Sequence, residues 1–139
     1  MSVLQRFNRI MGERMAASGR MAMIETIGRK SGSQIRTPVG YIRRDDGTVW
    51  VGAGRAEAHW PRNLLANPTC RVRIGRDELA YRAIELNGED RATAVVAIRG
   101  KYGAPAERVG TGPVFALVPL AQGEVVTAGE SAQEDGVAA

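Results

Sequence analysis

Gln34-Ile35-Arg36-Thr37-Pro38-Val39-Gly40-Tyr41-Ile42-Arg43-Arg44-Asp45-Asp46-Gly47-Thr48-Val49-Trp50-Val51-Gly52-Ala53 holds two extended runs, Gln34 to Arg43 and Thr48 to Ala53. Between them Asp46-Gly47 supplies the positive φ values that tight hairpin turns require. The stretch reads as a β-hairpin, and its neighbours on both sides continue the pattern. Upstream, Ala22, Ile24 and Thr26 alternate with Met23, Glu25 and Ile27, which is the two-residue period of a strand. Downstream, Cys70, Val72 and Ile74 alternate with Arg71 and Arg73, and Leu79 to Leu86 returns as a partner. Pro113 to Val118 makes a last strand.

Two helices interrupt this series. Trp60 to Ala66 has Pro61 suited to a first turn and Asn67-Pro68 suited to an end. A second helix is expected over Gly88 to Lys101, with Asn87 as its cap and Glu89 and Asp90 at its positive end. Residues 3–15 place Val3, Leu4, Phe7, Ile10, Met11 and Met15 at helical spacing, which predicts an amphipathic helix. The order is helix, three strands, short helix, two strands, helix, strand. Six strands with few helices point to a closed or nearly closed antiparallel sheet.

A chain of 139 residues suits one core. The expected division is an N-terminal helix over 1–20, a barrel over 21–121 and a mobile tail over 122–139, whose composition buries too little to offset the entropy of ordering it. The longest apolar runs, such as Val114 to Leu120, fall far short of the ~20 residues needed to cross a bilayer. Arg6, Asn8, Arg9, Glu13 and Arg14 break up any secretion signal, so a cytoplasmic protein is expected. One cysteine and one histidine leave no disulfide and no cluster of soft metal ligands. The net charge of +4 and pI of about 9.8 come almost wholly from arginine, and admit nucleic acid, anionic membrane or phosphorylated small molecules as partners.

Gly28 to Ser33 joins two cations, two hydroxyls and two glycines in one connection. Such a loop can wrap an anion, with backbone N–H groups pointing inward and Arg29 and Lys30 giving charge-assisted hydrogen bonds. Arg36 could join it from the following strand. The same residues also make an ordinary solvated turn. The spacing is not that of a Walker loop, which argues against nucleotide triphosphate hydrolysis.

Ile24-Glu25-Thr26-Ile27-Gly28-Arg29-Lys30-Ser31-Gly32, Arg36-Thr37-Pro38-Val39 and Asn63-Leu64-Leu65-Ala66-Asn67-Pro68 resemble, in order, the signature of the deazaflavin-dependent nitroreductase family. The resemblance runs from about Met23 to Pro119. It implies a mainly β, FMN-binding-like split β-barrel of six antiparallel strands. It further implies hydride transfer from coenzyme F420, a deazaflavin with a ribityl phosphate and oligoglutamate tail, to a small enone, quinone or nitro compound; FMN is the second choice of cofactor. On this resemblance Arg29, Lys30, Ser31 and Arg36 hold phosphate and tail carboxylates, and Pro38 lies near the ring. Gly52, Ala53, Gly54 and Arg55 approach through backbone groups, while Trp60 and Asn63 sit by the ring and ribityl chain. Related split barrels dimerise, and a homodimer is expected.

His59 and Tyr102 are the candidate proton donors, since each has a titratable tip near an expected groove wall; each also reads as a helix-end residue with a structural hydrogen bond. Trp60 reads equally as a core anchor. The N-terminal helix packs on the barrel, contacts a second subunit, or touches a membrane surface through Arg6, Arg9 and Arg14. A different function on the same barrel is a non-catalytic carrier of flavin, F420 or haem. An arginine-rich nucleic-acid module is disfavoured by sparse aromatics and the absence of a nucleic-acid motif.

Overall fold

The computed structural model describes Arg14 and residues 18–121. The helix expected over residues 3–15, apart from Arg14, and the tail over 122–139 lie outside the described residues. One seven-stranded antiparallel sheet dominates: β1 (Ala22–Ile27), β2 (Gln34–Val39), β3 (Tyr41–Arg43), β4 (Val49–Gly52), β5 (Thr69–Ile74), β6 (Asp77–Glu85) and β7 (Val114–Pro119), in the order β2-β1-β5-β6-β7-β4-β3. Helix α1 spans His59–Ala66, α2 spans Gly88–Tyr102, and a 3-10 turn covers Ala104–Ala106.

The strand count is seven rather than six because the run Gln34 to Arg43 breaks at Gly40. Before the break β2 pairs with β1, from Ala22↔Val39 to Ile27↔Gln34; after it β3 pairs with β4, Tyr41 opposite Val51. The two outermost strands of the sheet are therefore consecutive in the chain, and the sheet must curl until they meet. The corner is crowded: a Cβ on Gly40 would lie 3.0 Å from Cε2 of Tyr102, so a side chain there would have to displace that ring.

The expected hairpin forms. Gly47 has φ +90°, its N–H donates to the Arg44 carbonyl at 3.0 Å, and the Arg44 N–H donates to the Thr48 carbonyl at 2.8 Å. The Thr48 N–H donates to Asp46 Oδ1 at 2.9 Å; this bond, ahead of the Thr48 hydroxyl and the charge of Arg44, holds the Asp46 carboxyl below its usual range.

Alternation decides what the barrel encloses. Ala22 and Ile24, Val49 and Val51, Cys70, Val72 and Ile74, and Phe115 and Leu117 form one buried cluster with Trp60 and Leu64 of α1. Each such large side chain contributes about 1.5–3 kcal/mol on leaving water. Burial pushes the Cys70 thiol up to about 12. Helix α2 buries only Ala94 and Ile98, and lies across β3, β4 and β7. Its expected cap is not made: Asn87 has extended backbone but no side-chain cap hydrogen bond, and Glu89 and Asp90 remain as the favourable charges of the first turn. Among the described residues no helix is long and apolar enough to cross a membrane.

Candidate functional site

Strand β2, the segment after β4, the start of α1 and the loop after α2 converge on a groove of about 670 Å³. Ile35 and Thr37 line it from β2; Gly54, Arg55 and Ala58 from the segment after β4; His59 and Trp60 from α1; and Ala104, Pro105, Glu107 and Arg108 from the loop opposite. Of the residues singled out in the sequence, Gly54, Arg55, His59 and Trp60 meet here. Trp60 is also a core anchor, 7% exposed and tilted at 53° to Phe115 with ring centroids 6.0 Å apart. It gives the groove a rigid floor.

The Gly28 to Ser33 loop stands beside this groove and is fastened to it by a polar chain. Asn63 and Thr26 are the buried polar residues among those described, 1% and 0% exposed. Asn63 Nδ2 donates to Thr26 Oγ1 at 3.3 Å. Asn63 Oδ1 accepts from the Arg29 backbone N–H at 3.2 Å and from Arg29 Nη1 at 2.8 Å. Arg29 Nη2 then lies 3.5 Å from His59 Nδ1. Asn63 faces inward as the clamp between loop and helix, and the Arg29 guanidinium is tied to α1 through Asn63. Within the loop the Gly28 N–H donates to the Ser33 carbonyl at 2.7 Å and the Ser33 N–H to Ser31 Oγ at 3.1 Å, so Ser31 supports the turn itself. Lys30 is exposed.

Several expected residues are not brought to the groove. Arg36 and Pro38 alternate with Ile35 and Thr37 along β2, so they sit on its other face. Ala53 has both backbone groups engaged: its N–H donates to the Pro113 carbonyl at 2.9 Å, and its carbonyl accepts from Gly110 at 3.2 Å and Gly112 at 3.3 Å. Gly52 is covered by Val109, whose Cγ1 would lie 2.7 Å from an added Cβ. Tyr102 closes the barrel corner. Its hydroxyl donates to the Arg20 carbonyl at 2.8 Å and accepts from the Tyr41 N–H at 3.1 Å, and burial raises its pKa. Neighbouring Lys101 donates to the Tyr41 carbonyl at 2.9 Å and stands 3.6 Å over the Tyr41 ring.

Arg108, Glu107, Pro105, Ile35 and Thr37 are the groove residues that sequence reasoning missed. Ile35 and Thr37 were legible in principle, since alternation across β2 puts them opposite Arg36. The loop residues carry no periodic signal and arrive through long-range packing.

The chain has known relatives. A sequence profile of the F420H(2)-dependent quinone reductase family matches residues 1–118. A Mycobacterium tuberculosis protein described as a candidate F420H(2)-dependent quinone reductase, Rv3178, is 32% identical over 73 residues, which is 50% of this chain and 61% of that protein. The chain thus spans about three-fifths of the length of that curated relative. A solved F420-H2-dependent reductase superposes with a TM-score of 0.60 at 28% identity, covering 70% of this chain and 93% of the other. A chain described as a domain-swapped dimer superposes at 0.59 with 26% identity, covering 81% and 98%. A haem storage protein of Vibrio cholerae, at 14% identity and a TM-score of 0.61 over 87% of this chain and 92% of its own, shares the fold alone. Such neighbours agree with a split β-barrel architecture, and the profile match decides the lineage: the chain belongs to the F420H(2)-dependent quinone reductase family.

Proposed function

We propose that this protein is an oxidoreductase that binds reduced coenzyme F420 in the Trp60 groove and reduces a small quinone there. Enones and nitro compounds are the wider substrate set. The observation that carries the reading is the groove's donor set: a flat apolar floor and wall from Trp60, Ile35 and Pro105, with the cations Arg55 and Arg108 also lining it. That chemistry suits a planar ring with an anionic tail, so the residues present fit the coenzyme. When bound, the coenzyme supplies the hydride; the protein supplies orientation and exclusion of water.

Trp60 and Ile35 would hold the ring plane. Arg55 and the exposed Lys30 would pair with phosphate and carboxylate oxygens, and Gly54 leaves room for close approach. Arg29 has a positioning role, through Asn63 and His59. The Arg29 guanidinium stands 3.5 Å from His59 Nδ1 and steadies the ring at the groove. His59, which lines the groove, is the candidate proton donor there, whereas the Tyr102 hydroxyl is engaged by Arg20 and Tyr41 and takes no part. The family profile and the 28%-identical reductase support F420; FMN stands second. A homodimer is supported by the domain-swapped relative, and the proposed site of action is the cytoplasm. The carrier reading has fold-level support alone, from a haem protein at 14% identity.

Fluorescence titration with oxidised F420, beside FMN and haem by absorbance at two salt concentrations, tests this. F420 should bind, and less tightly at high salt. No F420 binding, with clear uptake of FMN or haem, would overturn the cofactor and keep the fold.

A further inference from the structure

Most arginines whose side chains have partners hold the fold together. Arg91 donates to the Gly110 carbonyl and, at 3.1 Å, to the Gly112 carbonyl; Arg99 donates to the Val109 carbonyl at 3.1 Å. Arg71 pairs with Glu78 and Arg43 with Asp77, and Arg44 stacks on Trp50. Arg55 and Arg108 differ: both line the groove, and neither guanidinium has a hydrogen bond or ion pair among the described residues. Arg108 also packs beside the residue that precedes Arg55: its Cβ would lie 3.8 Å from a Cβ on Gly54. Glu107 lines the same groove but makes no ion pair with either.

The platform under Arg108 is rigid. Thr111 donates to the Arg108 carbonyl through its hydroxyl at 2.7 Å and its N–H at 3.0 Å. Gly110 and Gly112 donate to Ala53, and Arg91 and Arg99 hold the intervening carbonyls. Gly112 packs so closely that a Cβ there would lie 2.5 Å from the Arg55 carbonyl. Seven loop bonds thus fix where the side chain of Arg108 begins, in a groove that Arg55 and an apolar wall also line. An anion bound in the groove would form charge-assisted hydrogen bonds with guanidiniums that have no other partner there.

We infer that Arg108 and Arg55 form an anion subsite in the groove, separate from the Gly28 to Ser33 loop, which takes a phosphate or carboxylate. The inference rests on the proposed function for the source of that anion, coenzyme or substrate, but not for the subsite itself. A quinone substrate bearing a carboxylate would be selected by it. If the anion belongs to the coenzyme, Arg108 adds to Arg55 and Lys30 in holding its phosphate and tail.

Calorimetry of the full chain with inorganic pyrophosphate tests the subsite without the coenzyme. Arg108→Gln and Arg55→Gln should each weaken binding roughly tenfold, as expected for loss of a hydrogen bond to a charged group. Arg76→Gln, an exposed cation in the β5–β6 turn, should leave it unchanged. Wild-type affinity in Arg108→Gln and Arg55→Gln, or equal weakening in all three, overturns the subsite. Two further arms identify the source. If Arg108→Gln weakens F420 roughly tenfold but not the phosphate-free deazaflavin core, the anion is the coenzyme's. If coenzyme binding is unmoved and KM rises roughly tenfold for a carboxylate-bearing naphthoquinone but not for 2-methyl-1,4-naphthoquinone, it is the substrate's. A wild-type chain that takes pyrophosphate through Arg108 but does not bind F420 keeps the subsite and overturns the proposed function.

Discussion

Replacing Asn63 with alanine should damage stability and binding together, because one amide supports three hydrogen bonds at 1% exposure. The Arg29 backbone N–H would lose its acceptor, at about 1 kcal/mol for a half-buried group. The bond to the guanidinium, discounted for its partial exposure, is worth ~0.5–1 kcal/mol. The Thr26 hydroxyl, fully buried, would lose its partner for about 1 kcal/mol more, and the void adds a few tenths. Together the loss should be about 3 kcal/mol, or roughly 12 °C in Tm at ~4 °C per kcal/mol for a domain of this size. Urea unfolding gives the first figure and thermal melting the second. Asn63→Asp discriminates the cause: its carboxylate can accept from Arg29 at both positions and from the Thr26 hydroxyl, so at neutral pH it should recover at least half of the loss. A loss below about 1 kcal/mol in Asn63→Ala, or an aspartate variant no better than the alanine one, would refute the clamp.

Lys30→Ala should weaken F420 binding with no change in Tm, whereas Arg29→Ala should lower both, since Arg29 is tied to Asn63 and His59; equal Tm values in the two variants would contradict this. Tyr102→Phe removes a hydroxyl that bonds Arg20 and Tyr41, so it should cost about 1–2 kcal/mol in urea and leave kcat unchanged; a collapse of kcat in a stable protein would restore Tyr102 as a proton donor. Cys70, whose thiol is raised from 9.0 to about 12 by burial, should resist alkylation in the native state at pH 8. Because its folded pKa lies above the unfolded one, the stability it contributes is whole below pH 9 and is lost as the pH climbs toward 12. Cys70→Val should remove that part of the alkaline decline, and identical pH profiles for the two proteins would exclude it.

The barrel was legible because its strands carry period-two patterns and its hairpin an Asp-Gly turn, both local signals. The break at Gly40 was not, because Gln34 to Arg43 reads as extended throughout; what divides it is a change of partner at Gly40, where the ring of Tyr102, 62 positions further along the chain, packs against the corner. The site divides in the same way. His59, Trp60, Gly54 and Arg55 stand in one short stretch and reach the groove together. Asn63 was assigned to a ligand because its motif is specific, yet the motif says nothing about which way an amide faces. Tyr102 was assigned by its titratable tip, and its hydroxyl is engaged by the backbone of a distant strand. Arg108 lay in a stretch without period, where position is set by bonds within the loop, to Ala53 and to the arginines of α2.

The join at Gly40 also bears on where this chain tolerates insertions and deletions. At Asp46-Gly47 and Gly75-Arg76 an added residue lengthens a solvent-facing turn, and the paired strands on either side keep their places. At Gly40 there is no slack. Ala22↔Val39 on one side and Tyr41↔Val51 on the other are separated by a single residue, so one extra residue must shift β1 against β2 or β3 against β4. A shift by one position turns every inward side chain of the shifted strand outward, and a shift of β2 takes Ile35 and Thr37 out of the groove. Length variation in proteins engineered from this scaffold should therefore be confined to the turns, and libraries that randomise length across residues 39–41 should yield few folded members.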